Sequence, residues 1–136
     1  MNFKFENFWL SIFVLCVVNT LLIQLIIRPN YEGEISSLEY VLGVAPNFLP
    51  AIGIPALFVL TFSLITKENC SSNYLIEKKH IVGNIFSVFG LIFWELIQNS
   101  FDLIFDWNDI LWTLIGALLF HLIWFFFQKN LHKTEI

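Results

Sequence analysis

Charge is scarce in this chain. Asp, Glu, Lys and Arg make up 13% of its 136 residues, against roughly 25% in an ordinary soluble domain. Arginine occurs once, at Arg28. With so few cations there is no basic patch, and nucleic acid is not an expected partner. Cysteine is almost as rare. Cys16 lies within an apolar run and Cys70 in a polar loop, so the two do not form a disulfide framework. Walker, HExxH, GxSxG and CxxC motifs are all missing. That removes the usual signals for phosphate cradling, zinc hydrolysis, serine nucleophiles and thiol redox chemistry. No cofactor or metal site is expected. EF-hand spacing is absent from the carboxylates, and there are no repeats or low-complexity tracts.

What the chain has instead is apolar side chains: 57% of its residues are hydrophobic and 18% of the whole chain is aromatic. Apolar runs of membrane-spanning length recur four times, at about 8–27, 48–65, 81–97 and 110–127. Helix is the conformation that satisfies backbone groups within one span, and none of the runs alternates as a barrel strand would. The expected fold is therefore an all-α membrane protein, a four-transmembrane-helix bundle forming a single domain over 1–136. The first run is longer than a signal-peptide core, and "IIRPNYEGE" after it holds no small-x-small cleavage site, so it reads as a retained span.

The cations set an orientation. Lys4, Lys67, Lys78, Lys79, Lys129 and Lys133 fall on one side of the predicted spans and only Arg28 on the other. By the positive-inside rule both termini face the cytoplasm, which places the protein in a bacterial-type inner membrane. The outer loops then hold Glu32, Glu34, Glu39, Asp102 and Asp106, with Asp109 opening the fourth span. Trp9, Trp94, Trp107 and Trp112 lie near the boundaries, where an aromatic belt is expected.

Polar residues within the spans carry the rest of the information. Cys16, Thr20 and Gln24 recur every four residues as a stripe. Asn47 is placed as the cap of the second helix, with Pro50 in its first turn. Pro55 is interior and frees the Ala51 carbonyl. Asn84, Ser87, Glu95 and Gln98 fall within about an 80° arc of the third helix. Asp109, Thr113, Gly116, Ala117 and His121 share one side of the fourth. Small and polar faces on the third and fourth spans predict that those two pack together. Gln24, the Ala51 carbonyl, Glu95 and Thr113 all fall about one turn inside the outer boundary. Asn47, Gln98 and Asp109 lie just above, with Arg28 on the rim. Glu95 has three available fates: an ion pair with Arg28, a protonated carboxyl, or a bound ligand. Asp109 or Asn108 is expected to cap its helix. Asp102 and Asp106 read as solvated, and His80 and His132 as ordinary cytoplasmic polar residues.

The stretch "ELIQNSFDLIFDWNDILWTLIGALL" resembles the C-terminal motif of VanZ-like membrane proteins. Glu95, Gln98, Asp109, Gly116 and Ala117 match its Glu-x-x-Gln, Asp and Gly-small positions. "PNFLPAIGIP" is loosely similar to that family's Asn-containing segment, with Asn47 at the matching place. The family's arginine ahead of the aspartate has no counterpart here, and Thr113 stands where it carries asparagine. The resemblance implies a cell-envelope role; one member of the family is linked to glycopeptide resistance.

The leading functional expectation is a non-covalent pocket on the outer side, formed by Asn47, Glu95, Gln98 and Asp109 and supported by Gln24, Arg28 and Thr113. Its ligand would be an envelope lipid or an antibiotic-like polar molecule, with the bilayer itself as the other partner. One alternative is an enzyme using Glu95 and Asp109 as an acid–base pair on a lipid-linked substrate. Another is a transporter, for which four spans would require a homo-oligomer. The orientation is testable in intact cells. Cysteines introduced at Asn30 and Asp106 should react with a membrane-impermeant thiol reagent, while one at Lys78 should not; the opposite pattern would invert the topology.

Overall fold

The computed structural model describes residues 3–33, 35–69, 73–100 and 106–133, with side chains over 5–33, 35–65, 78–97 and 106–128. Among these residues there are helices and no strands. The first rod is α1 (Phe3–Leu22), a π-helical turn (Ile23–Ile27) and the short α2 (Arg28–Asn30). A turn follows in which the Tyr31 hydroxyl donates to the Ile35 carbonyl (2.6 Å) and accepts from the Ile35 N–H (2.7 Å). Gly33 takes φ +75° there, a region that favours glycine. Then come α3 (Ser36–Asn69), α4 (Asn73–Ser100) and α5 (Trp107–Lys133). Four segments are long and apolar enough to cross a membrane: Phe5–Asn30, Ser36–Ile65, Lys78–Ile97 and Trp107–Gln128.

Three of these match the sequence expectation to within a few residues. The second does not. α3 begins at Ser36, twelve residues before the expected Phe48, and runs through Pro46, Pro50 and Pro55. Asn47 is therefore not a cap and Pro50 is not in a first turn. Each proline removes one N–H from the helical ladder, but helices packed alongside support the interrupted backbone, as in other membrane helices. At 1.5 Å per residue α3 is about 51 Å long, more than a hydrocarbon core of about 30 Å. Its first three turns therefore extend beyond the expected span.

α3 is the hub of the bundle and packs against α1, α4 and α5. Three glycines mark the close approaches. A Cβ on Gly116 of α5 would lie 2.6 Å from the Phe48 carbonyl oxygen and 2.8 Å from the Ala51 Cβ. One on Gly53 of α3 would meet the Cys16 Cβ of α1 at 2.9 Å, and one on Gly83 of α4 would strike the Phe58 ring at 2.8 Å. The small faces of α4 and α5 thus serve contacts to α3, more than the α4–α5 contact expected from sequence. α4 and α5 do meet through polar groups: the Asn84 side-chain amide donates to the Ala117 carbonyl at 3.0 Å.

The core is strongly aromatic at one end. Trp9, Ile52, Ala56, Val59, Phe120 and Trp124 form its buried centre together with Cys16. Trp9 is 0% exposed, so it is not part of an aromatic belt. Its ring packs against Phe5, Phe8, Phe120, Trp124 and Phe127 at centroid distances of 5.1 to 6.2 Å. Partners from the facing helix enclose it, which no local pattern around position 9 reveals. Lys79 joins the same end, donating to the Ser63 hydroxyl (2.6 Å) with its ammonium 4.7 Å from the centre of the Phe5 ring. Trp94 and Trp107, by contrast, are exposed.

If close approach to α3 holds the bundle, one methyl group should separate two glycines of similar sequence context. Gly116→Ala should lower stability by about 1–3 kcal/mol. Gly90→Ala, where an added Cβ meets nothing within 4 Å, should be neutral or slightly stabilising. Unfolding by a denaturing detergent, followed by circular dichroism, measures both.

Candidate functional site

The end of the bundle opposite the aromatic core gathers most of the polar residues singled out from sequence. A cavity of about 320 Å³ is lined by Gln24, Arg28, Gly43, Pro46, Asn47, Leu91, Trp94 and Asp109. An adjoining cavity of similar size shares Arg28, Gly43 and Asp109 and adds Tyr40, Val44 and Asp106. All four membrane-length segments contribute to these walls.

Arg28 reaches the site because the helix in front of it is widened. In a regular helix, at about 100° per residue, Arg28 would lie about 120° around the axis from Cys16, which faces α3. Five residues wound at about 80° each, as an i→i+5 turn requires, reduce that angle to about 20°. The π turn Ile23–Ile27 is closed by the Arg28 N–H bonding the Ile23 carbonyl. It directly precedes Pro29, whose ring would crowd the Leu25 carbonyl in a regular helix. Gln24 lies within this turn and also lines the cavity.

The early start of α3 supplies the opposite wall. Tyr40, Gly43 and Asn47 lie three and four residues apart, on one face. Tyr40 and Gly43 were missed because the helix was expected to begin after them. Reading the helical period backwards from Asn47 would have found them. Tyr40 is held by Trp112, whose indole N–H donates to the Tyr40 hydroxyl at 2.8 Å. Pro46 lines the cavity as well. With proline at position 50, no N–H is present there to take up the Pro46 carbonyl.

The carboxylates divide the remaining work. Asp106, expected to be solvated, caps α5: its Oδ1 accepts from the Asn108 backbone and side-chain N–H groups, both at 2.8 Å. Neither Asn108 nor Asp109 is the cap. Asp109 lies in the first turn, where its carboxylate faces the Asn47 amide within hydrogen-bonding reach and lies in the field of Arg28. The Thr113 hydroxyl, buried, donates to the Asp109 carbonyl at 2.8 Å and supports the turn from below. Glu95 is 3% exposed and is not part of either cavity wall. Its Oε1 accepts from the Asp106 N–H at 3.3 Å. Asp109 lies in the fields of both Asp106 and Arg28, and Asp109 and Asp106 both lie close enough to act on Glu95. The Glu95–Asp106 bond links α4 to the residue that precedes α5. Gln98 is in α4, but its side chain lies outside the described residues, as do Glu34, Cys70 and Asp102.

The other polar residues sit elsewhere. Cys16 packs on Gly53, and Thr20 donates to the Cys16 carbonyl within its own helix. His80 is not an ordinary surface residue: it is buried and stacks on Trp124 at 4.4 Å and on His121 at 5.5 Å. Ser87 Oγ and Asn84 Oδ1 are buried without a hydrogen-bond partner among the described residues. No group of three His, Cys, Asp or Glu side chains converges among those residues as a metal site would require.

The tether can be read at one amide. Glu95→Leu removes the acceptor for the Asp106 N–H and should speed its hydrogen exchange on the order of tenfold. Glu95→Gln keeps an acceptor oxygen and should leave the rate near that of the parent. Comparison with known protein families, with characterised proteins and with solved structures finds no match for this chain.

Proposed function

We propose that the chain is a multi-pass protein of a bacterial-type inner membrane, with both termini in the cytoplasm, and that its acidic end binds a polar group of a cell-envelope component without covalent chemistry. The cavity walled by Gln24, Arg28, Asn47 and Asp109 is the observation that carries this reading. It offers a guanidinium and side-chain amides as donors and a carboxylate as acceptor. Placing such groups together at the end of an apolar bundle is costly unless something satisfies them. The six-to-one distribution of cations supports the orientation, and the similarity of residues 95–119 to VanZ-like proteins supports the envelope role. Acid–base catalysis by Glu95 and Asp109 is less well supported, because Glu95 is engaged with the Asp106 backbone and does not line the cavity.

Gly43 gives a selective way to close the pocket. It lines both cavities, and a Cβ there would meet nothing within 4 Å. Gly43→Leu should therefore fill the space while favouring the helix. Untargeted mass spectrometry of small molecules that co-purify in mild detergent should find a species enriched about tenfold with the parent protein. That species should be lost with Gly43→Leu and with Asp109→Asn. An identical profile for all three proteins would mean that the cavity holds no ligand.

A further inference from the structure

The polar cavity draws part of its wall from the first rod and from α3. One helical turn further along the same two rods lies an apolar groove of about 130 Å³, lined by Phe13, Cys16, Val17, Thr20, Leu21, Pro50, Gly53 and Ile54. On the first rod the lining passes from Gln24 to Thr20 and Leu21, and on α3 from Pro46 and Asn47 to Pro50. Each step is three or four residues, about 5–6 Å along the helix axis. The apolar groove thus lies one turn from the charged cavity along the seam between α1 and α3. Gly53 and Cys16 draw the two helices together at the bottom of that seam. Leu21 and Ile54 remain substantially exposed at its edges.

The charged compartment carries both signs. Arg28 lines both cavities, and so does Asp109, with Asp106 beside them in the second. Tyr40 faces the same space, and its hydroxyl oxygen already accepts from Trp112, which leaves its O–H to donate. One guanidinium and one phenol hydroxyl suit a phosphate. Two carboxylates suit a primary ammonium, which has three N–H bonds to place and no acceptor. A purely anionic headgroup would satisfy Arg28 and leave the two carboxylates opposed to it.

We infer that the site takes a zwitterionic glycerophospholipid whose headgroup joins a phosphate to a primary ammonium: phosphate toward Arg28 and Tyr40, ammonium toward Asp109 and Asp106, and the start of one acyl chain in the α1–α3 groove. This rests on the reading of the acidic end as a ligand pocket and names the ligand class. The surrounding bilayer is the source of the lipid, and the groove opens toward it.

The test uses the full chain in detergent, stripped of lipid and titrated with dioleoyl phosphatidylethanolamine or dioleoyl phosphatidylglycerol, with bound lipid counted by native mass spectrometry. The parent should hold the ethanolamine lipid about tenfold more tightly than the glycerol lipid. Asp109→Asn should remove that preference. Leu21→Trp, which obstructs the groove, should weaken the ethanolamine lipid about tenfold but leave binding of soluble glycerophosphoethanolamine unchanged. Equal binding of the two lipids by the parent, or an ethanolamine lipid indifferent to Leu21→Trp, would overturn the assignment. In that event a co-purifying species still lost with Gly43→Leu would leave the pocket standing without this ligand. If Gly43→Leu changes nothing either, the pocket and the lipid fall together.

Discussion

The approach of three helices to the backbone of α3 governs the rest of the structure. In a bilayer, apolar side chains gain little by leaving one hydrocarbon environment for another, so burial alone does not hold helices together. Close van der Waals contact does, and contact needs small residues where backbones meet. Gly53, Gly83 and Gly116 supply it, each at a place where a single added carbon would collide with a neighbouring rod. Because all three contacts converge on one helix, the angles and heights of α1, α4 and α5 are set relative to α3. The wall residues of the cavity therefore arrive at a common level although they come from positions 24 to 109 of the chain.

The two ends of the bundle are stabilised by different means. Around Trp9 and Trp124 the space is filled by rings, which bury large areas and prefer the edge-on and tilted arrangements seen there. At the other end fewer large groups are buried, and order comes from hydrogen bonds: the cap at Asp106, the Glu95 tether, the Thr113 bond and the Tyr40–Trp112 pair. A tightly packed end can hold helix positions while the opposite end keeps an internal space. That division gives a small protein both a tightly packed end and an internal cavity.

Much of this was legible in the sequence. Four apolar runs announced four rods, and depth counting put Gln24 in one layer with Asn47 and Asp109 just above and Arg28 on the rim; the structure gathers these four around one cavity, while Ala51, Glu95 and Thr113 of the expected layer do not line it. The failures have specific physical causes. Asn47 with Pro46 and Pro50 carries the signature of a helix beginning, yet neighbouring helices let α3 continue through it, which hid Tyr40 and Gly43. Trp9 and His80 sit at positions typical of surface residues and are buried by rings brought from another helix. Glu95 was the most conspicuous residue of the chain, and the structure places it off both cavity walls, with its Oε1 on the Asp106 N–H. Long-range partners of that kind leave no trace in local periodicity.

The widened turn before Pro29 has a consequence for how this architecture can change. An i→i+5 turn amounts to one residue inserted into an otherwise regular rod. The azimuth of Arg28 is thus written in a count of residues, independent of which side chains occupy Ile23–Ile27. Substitutions within that spacer leave the guanidinium aimed as it is, whereas a one-residue change in its length swings it to another side of the rod. Within the spacer only Gln24, which also lines the cavity, is tied to its side chain; for the rest, divergence is cheap and length variation is not.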